Sequence, residues 1–585
     1  MSAEKLITDH IDVWTSAVQA KSASGRGSSK KRELYGIKKL RELILELAVR
    51  GKLVPQDPTD EPASVLLERI AAEKAQWVKE KKIRKPKALP AIEDDEKPFE
   101  LPQGWAWARF PDVCSYQPGK TPATKNPTFW EESNEGTPWV SIADLNHFGT
   151  VGQTKKRVSD KAVEDVFKAH PTPAGTLLMS FKLTVGKISK LNVDAYHNEA
   201  ILSVYPFDGM TQNYLFQVLP NIALGGNTKS AIMGNTLNAD SLGLLLIPVP
   251  PVEEQPRIAS KIEELMALCD QLEQQTEASL DAHQVLVETL LTTLTNSQDA
   301  TELMANWARI SEHFDTLFTT EQSIDQLKQT ILQLAVMGKL VPQDPNDEPA
   351  TKLLERIAEE KAQLVEEKKI KKQKALPPIA EDEKPFELPN GWEWIQCADA
   401  ARPETTITYG ILKPVWKDKG VPTARIKDMV NGSLELSDIV YCCPERASKF
   451  NKTTLFEGDL LIAKDGATLG KTAFVPPELV GGNITQHVLR FSISPFLNRE
   501  FVRLIIDSPI GQSFMKGETK GVALPGVNVG DFRKMPLALP PLAEQQLIVE
   551  KVETLLTICN ELQQCLCDSQ QTQLLLTDAI VEQAL

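Results

Sequence analysis

A chain of 585 residues, 42% hydrophobic and 25% charged, is too long for one compact core and suits three to five domains. Its net charge of −14 argues against nucleic acid only if the acid is spread evenly, which an average cannot show. No stretch approaches the roughly 18 apolar residues of a membrane span. The opening MSAEKLITDHIDVW has no basic-then-apolar leader, and eight cysteines without ligand-like spacing read as reduced thiols. Cys442-Cys443 and Cys565/Cys567 are too close together and too isolated from histidine for zinc. A cytoplasmic protein without bound metal is expected.

In chain order, the first landmark is His10-Ile-Asp12, followed by KSASGRGSSKKR at 21–32, which reads as a flexible loop. GKLVPQDP at 51–58 then returns unchanged at 338–345. Compared without gaps, 51–107 and 338–394 agree at 44 of 57 positions, so the module is duplicated. Each copy continues through a charged helix into a basic run. The first has Lys81-Lys82, Arg84-Lys85 and Lys87; the second has Lys368-Lys369, Lys371-Lys372 and Lys374. Each run suits either a solvated face or phosphate contact. Both copies close on LPxGWxW, at Leu101–Trp107 and Leu388–Trp394.

Beyond each tryptophan the chain turns rich in Gly, Pro, Thr, Asn and aromatics, with strand-like runs GTLLMS at 175–180 and GDLLIA at 458–463. Segments 105–247 and 392–537 share little sequence but keep a faint skeleton. Pro138–Asp144 aligns with Pro422–Asp428, Gly175-Thr-Leu-Leu with Gly458-Asp-Leu-Leu, and Gly186-Lys187 with Gly470-Lys471. One mixed α/β fold carrying two different surfaces is expected.

Each segment ends in Pro-Pro and a helix start, PPVEEQ at 250–255 and PPLAEQ at 540–545. Apolar residues then recur at four- and three-residue steps: Ile258, Ile262, Leu265, Cys269 and Leu272, then Ile548, Val552, Leu555, Cys559 and Leu562. That is a narrow coiled-coil-like seam suited to a spacer or a docking face. A helix of roughly 40 residues would span about 60 Å.

The closing LLLTDAIVEQAL corresponds to about 284–295, and His313-Phe-Asp315 to His10-Ile-Asp12, which is the pattern of a circularly permuted repeat. The termini should lie close together about an approximate internal two-fold. The expected fold is α+β: two mixed α/β domains (105–250 and 392–540) separated by long paired helices, with helical regions at 1–104, 251–391 and 541–585.

Split by segment, 105–247 has no net charge, 392–537 carries +2, and the remainder carries −16. The acid is on the helices, so basic groups gathered on one face of each segment can hold DNA phosphates. Candidates in the first are Lys155, Lys156, Arg157, Lys182 and Lys187, with Asn198, Asn235 and Asn238 as readers of adenine edges. In the second they are Lys413, Arg425, Lys427, Lys464 and Lys471, with Asn483, Gln486 and Asn528.

Catalytic motifs are approached and missed. GATLGKT at 466–472 has three residues between its glycines where a phosphate-binding loop needs four. NPTF at 126–129 has Thr where a methyltransferase motif has its second Pro, and EDEK at 381–384 sits in a charged linker.

Two divergent segments, each opened by LPxGWxW and closed by PPxxEQ in a permuted duplication, resemble the specificity subunit of type I restriction-modification systems; the extended GKLVPQDP block looks like the type IB class. The resemblance implies that each variable segment is a target recognition domain reading half of a split double-stranded DNA site, and that paired helices set the gap, about one helical turn of roughly 34 Å. It implies no catalytic residue in this chain. It also implies two modification subunits carrying S-adenosylmethionine, and restriction subunits using ATP and Mg. A stand-alone enzyme with an unrecognised catalytic domain and a scaffold with no DNA role stay open as alternatives.

Overall fold

The computed structural model describes residues 3–20, 32–80, 89–133, 135–225, 239–371, 375–517 and 526–585. The loop expected at 21–32, except Arg32, lies outside them, as do Lys81, Lys82, Arg84, Lys85, Lys87, Lys372, Lys374, Asn235 and Asn238. No helix among the described residues is long and apolar enough to cross a membrane. The chain forms two compact units, Met1–Ala278 with Ser569–Leu585, and Ser279–Asp568. Each combines helices with a mixed sheet domain, the α+β class expected.

In the first unit the helix Tyr35–Val49 buries Ile37, Leu40, Leu43, Ile44 and Leu47, one face of a 3.6-residue repeat. It lies so close to Trp14 that a Cβ on Gly36 would stand 2.3 Å from the Trp14 carbonyl oxygen. Arg41 ties it to the long helix Glu254–Asn296 through Asp270 at 2.7 Å and Glu273 at 2.6 Å. Tyr35 donates its hydroxyl to Asp578 at 2.8 Å. The end of the helix Leu542–Ala584 therefore packs against the N-terminal segment, as the permuted repeat requires.

The mixed domain of this unit is clasped by the antiparallel pair Ala106–Arg109 and Leu246–Val249. One sheet runs in the order Cys114–Pro118, Ile201–Pro206, Leu177–Ser180, Ile188–Leu191, Gly149–Val151. The other runs Tyr196–His197, Thr137–Val140, Lys156–Val158, Trp130–Glu131. Val140, Leu145, Val151, Leu178, Leu191 and Ile201 form a shared core.

The second unit repeats the plan. Glu393–Gln396 pairs with Pro536–Leu539. The sheets run Thr408–Tyr409, Val488–Phe491, Leu460–Ala463, Thr472–Phe474 and Trp416–Lys417, Val440–Cys442, Val421–Ala424, Asn483–Ile484. The skeleton seen in sequence has a backbone cause: Gly175 and Gly458 turn into matching strands at φ +89 and +76, and Gly186 and Gly470 sit at φ +81 and +85. Only glycine takes that conformation without strain.

Both seams are buried where they begin: Ile258, Ile262, Leu265, Cys269 and Leu272 in one, Ile548, Val552 and Cys559 in the other, with Leu555 and Leu562 half-buried. The second is not a bare two-helix zipper. Its residues share one core with Ile324, Leu327 and Ile331 of the helix Glu321–Val336 and with Val287, Leu291 and Leu294. Lys328 reaches Gln563 at 2.6 Å, in the place that Arg41 takes in the first unit.

Candidate nucleic-acid interface

Each domain is held by one buried carboxylate. After Val49 the helix closes on Gly51, at φ +66, with Lys52 N–H bonded to Leu47 O at 2.8 Å, a left-handed helix stop. The Gln56 amide turns back to Gly51 O at 2.5 Å and reaches Glu254 Oε1 at 3.4 Å, while Trp105 Nε1–H donates to Glu254 Oε2 at 2.9 Å. The second copy repeats this with Gln343 to Glu544 at 3.1 Å and Trp392 to Glu544 at 2.9 Å. Glu254 is 0% and Glu544 2% exposed. Burial pushes both carboxyls above their ordinary pKa, against the lowering effect of these hydrogen bonds. GKLVPQDP, LPxGW and PPxxEQ thus meet on one group, and two such groups require every piece twice.

The adjacent glutamine holds the mixed domain. Gln255 accepts the Thr211 N–H at 2.7 Å, and Gln545 accepts the Asn498 N–H at 2.9 Å.

At the end of each parallel strand pair a loop is pressed onto the sheet. A Cβ on Gly119 would lie 1.9 Å from His197 O, and one on Gly410 1.9 Å from Ile484 O. In the second domain this gathers a polar cluster. Lys413 N–H donates to Gln486 Oε1 at 3.1 Å; Gln486 Nε2 lies 3.1 Å from His487 Nε2; His487 Nδ1 lies 2.9 Å from Asp465; and Lys464 Nζ lies 3.0 Å from Asp465. Three of the residues expected to meet DNA come together here. Sequence reading missed Asp465 and His487, which are 22 positions apart and have no periodic signal.

Other second-domain candidates are committed elsewhere. Arg425 grips Asp428 at 3.0 and 2.8 Å and also the Asp438 carbonyl, and Lys427 pairs with Asp438. Lys471 lines a separate cleft with Arg503, Gln512 and Lys516. The adenine-reading role expected of Asn483 gives way. It is 2% exposed, its Oδ1 takes the Thr453 hydroxyl at 2.7 Å and the Ile484 N–H at 2.8 Å, and its amide faces Phe450 O at 3.3 Å. Asn528 caps the helix Val529–Lys534 by accepting the Asp531 N–H at 2.9 Å and donating to the Asp531 carboxylate, although it stays exposed.

In the first domain Lys155 is exposed, and Lys156 lies 4.9 Å over the Trp130 ring. Lys182 covers Phe181 at 5.1 Å, and Arg157 braces the Gly136 carbonyl. Lys187 points to Ile142 O at 3.3 Å. His147 nearby is held below its ordinary pKa by burial and then by Lys187. The Asn198 side-chain Oδ1 accepts the Ala200 N–H at 2.7 Å. Lys120, not expected from sequence, bridges to Val166 O at 2.9 Å.

The near-motifs are structural. GATLGKT leads into the strand Thr472–Phe474, not the helix that would cradle phosphates. Asn126 caps the turn Pro127–Phe129. Lys384 pairs with Glu381 inside EDEK. What the two surfaces offer is hydrogen-bond donors and cations around short aromatic-lined loops, which suits phosphate and base-edge contact rather than bond-making.

The model of the type I restriction modification DNA specificity domain matches residues 102–282 and 411–566, more than half the chain. The specificity subunits of the type I restriction enzymes EcoEI and EcoAI of Escherichia coli are 42% and 43% identical, each aligned over 100% of both chains. The solved HsdS subunit of Thermoanaerobacter tengcongensis is 16% identical over 84% of this chain and 98% of that one, with a TM-score of 0.40. With two domains of divergent surface set into one repeated frame, the chain belongs to the non-catalytic DNA specificity subunits of type I restriction-modification enzymes.

Proposed function

We propose that the chain reads a two-part, asymmetric DNA site, one part through each mixed domain, and holds two copies of one modification subunit on the duplicated frame. The observation that carries this is the contrast between what repeats and what does not. The Trp–Glu–Gln anchors at Glu254 and Glu544 match bond for bond, whereas the loop ends differ: Lys120 and Asn198 in one domain, Lys413, Gln486 and His487 in the other. Repeated surface suits a repeated partner, and divergent surface suits two different sequences. S-adenosylmethionine belongs to the modification subunits, and ATP and Mg to restriction subunits, with no cofactor in this chain. The test exchanges 105–250 for the corresponding domain of a relative and maps methylated adenines in the host. One half of the recognised site should change while the other stays; a change in both halves overturns the reading.

A further inference from the structure

The second unit carries a cavity where its helix Ala350–Glu366 meets the mixed domain. In the first unit, four rings fill the space between the helix Ala63–Lys79 and the mixed domain. Phe110 stacks on Tyr116 at 4.9 Å and Trp77 meets Phe207 at 5.6 Å. Lys74 closes the edge on Asp112 and Pro111 O, both at 2.8 Å. The register is fixed by backbone pairing: Cys114 lies opposite Pro206 in the first half, and Ala401 opposite Ile493 in the second. Read off from there, Leu364, Cys397, Pro403 and Ser494 stand where Trp77, Phe110, Tyr116 and Phe207 stand, so all four rings are gone.

Pro403 also changes the backbone. Arg402 N–H still bonds Ser492 O at 2.9 Å, and beyond the fixed φ of Pro403 the chain returns to strand pairing only at Thr408–Tyr409. The opening left is about 350 Å³, the size of a small-ligand pocket. Its apolar wall includes Ile357, Trp394 and Ile407, and its cations are Lys361, Arg402 and Arg533. The two arginines replace Ser115 and Gly243 of the first half. No ion pair joins Lys361 to Asp399, although their counterparts Lys74 and Asp112 are bonded.

We propose that this cavity binds a nucleoside phosphate, its base against Trp394 and the apolar wall and its phosphates on Arg402, Arg533 and Lys361. Loss of ring volume and gain of cations at one place is what a flat body with an anionic tail requires.

The test measures ATP binding to the purified full chain by titration calorimetry, with adenosine and inorganic pyrophosphate as separate probes. One ATP per chain is expected, with each fragment at least about tenfold weaker, since ring contact and charge-assisted bonds contribute separately. Replacing the arginines by their first-half counterparts, R402S with R533G, should weaken ATP by about tenfold or more. Pro403→Tyr, which restores a first-half ring, should abolish binding while the denaturation midpoint stays at or above that of the parent. Absence of ATP binding, equal binding of pyrophosphate and ATP, or binding unchanged in R402S/R533G would each overturn the proposal.

Discussion

Trp392 donates its indole N–H to Glu544 across 2.9 Å, with 5% of the tryptophan and 2% of the glutamate exposed. Glu544→Ala leaves that N–H and the Gln343 amide without their shared acceptor. A loss of about 2–4 kcal/mol is expected. It should be read from the denaturant midpoint.

Both buried carboxyls have folded pKa values above their unfolded ones, chiefly through burial. The folded state therefore binds their protons more tightly, so their contribution to stability is lost as pH rises through the folded pKa and regained as it falls. Glu254→Gln/Glu544→Gln cannot titrate. The wild type should gain stability on this variant as pH drops from neutral toward the ordinary carboxylate range, and urea denaturation at several pH values checks it.

Gly338 sits at φ +69 with its absent Cβ 2.5 Å from the Pro389 ring; Gly175 sits at φ +89 facing open space. Gly175→Ala should cost only backbone strain, about 1–2 kcal/mol. Gly338→Ala adds a clash and should cost about 3 kcal/mol or more. Thermal unfolding of the two variants separates the contributions.

Lys413 is exposed and Asn483 is buried in its own domain. Lys413→Ala should weaken DNA binding similarly across sequences and reduce the salt slope by about one. Asn483→Ala should instead lower stability by about 2–4 kcal/mol, with two buried partners left unpaired. Fluorescence anisotropy at several salt concentrations, alongside melting, tells them apart.

Removing 569–585 deletes Asp578, the partner of Tyr35. Amides of Tyr35–Val49 should then exchange faster, while those of Glu321–Val336 should not. Hydrogen exchange with mass spectrometry reads both helices at once.

The frame was legible because it is periodic and repeated: the Ile258 and Ile548 seams follow from spacing, and the permutation follows from LLLTDAIVEQAL. The carboxylate anchor was half legible. Glu254 and Glu544 read as favourable first-turn residues, and only folding shows Trp105 and Gln56 converging on one of them from far along the chain. A usable signal existed, since Gln, Trp and Glu are identical in both copies beside positions that drift, such as Gln103 against Asn390. The reading surfaces were least legible. Asparagine serves caps and interiors as readily as base edges, and whether Asn483 or Asn528 is free depends on neighbours such as Thr453 and Asp531.

The strands that clasp each mixed domain have an evolutionary consequence. Chain enters through Glu393–Gln396 and leaves through Pro536–Leu539, hydrogen-bonded side by side, so an entire cassette begins and ends at one doorway. Recombination between related genes at the flanking repeated stretches would graft a foreign insert without disturbing the socket.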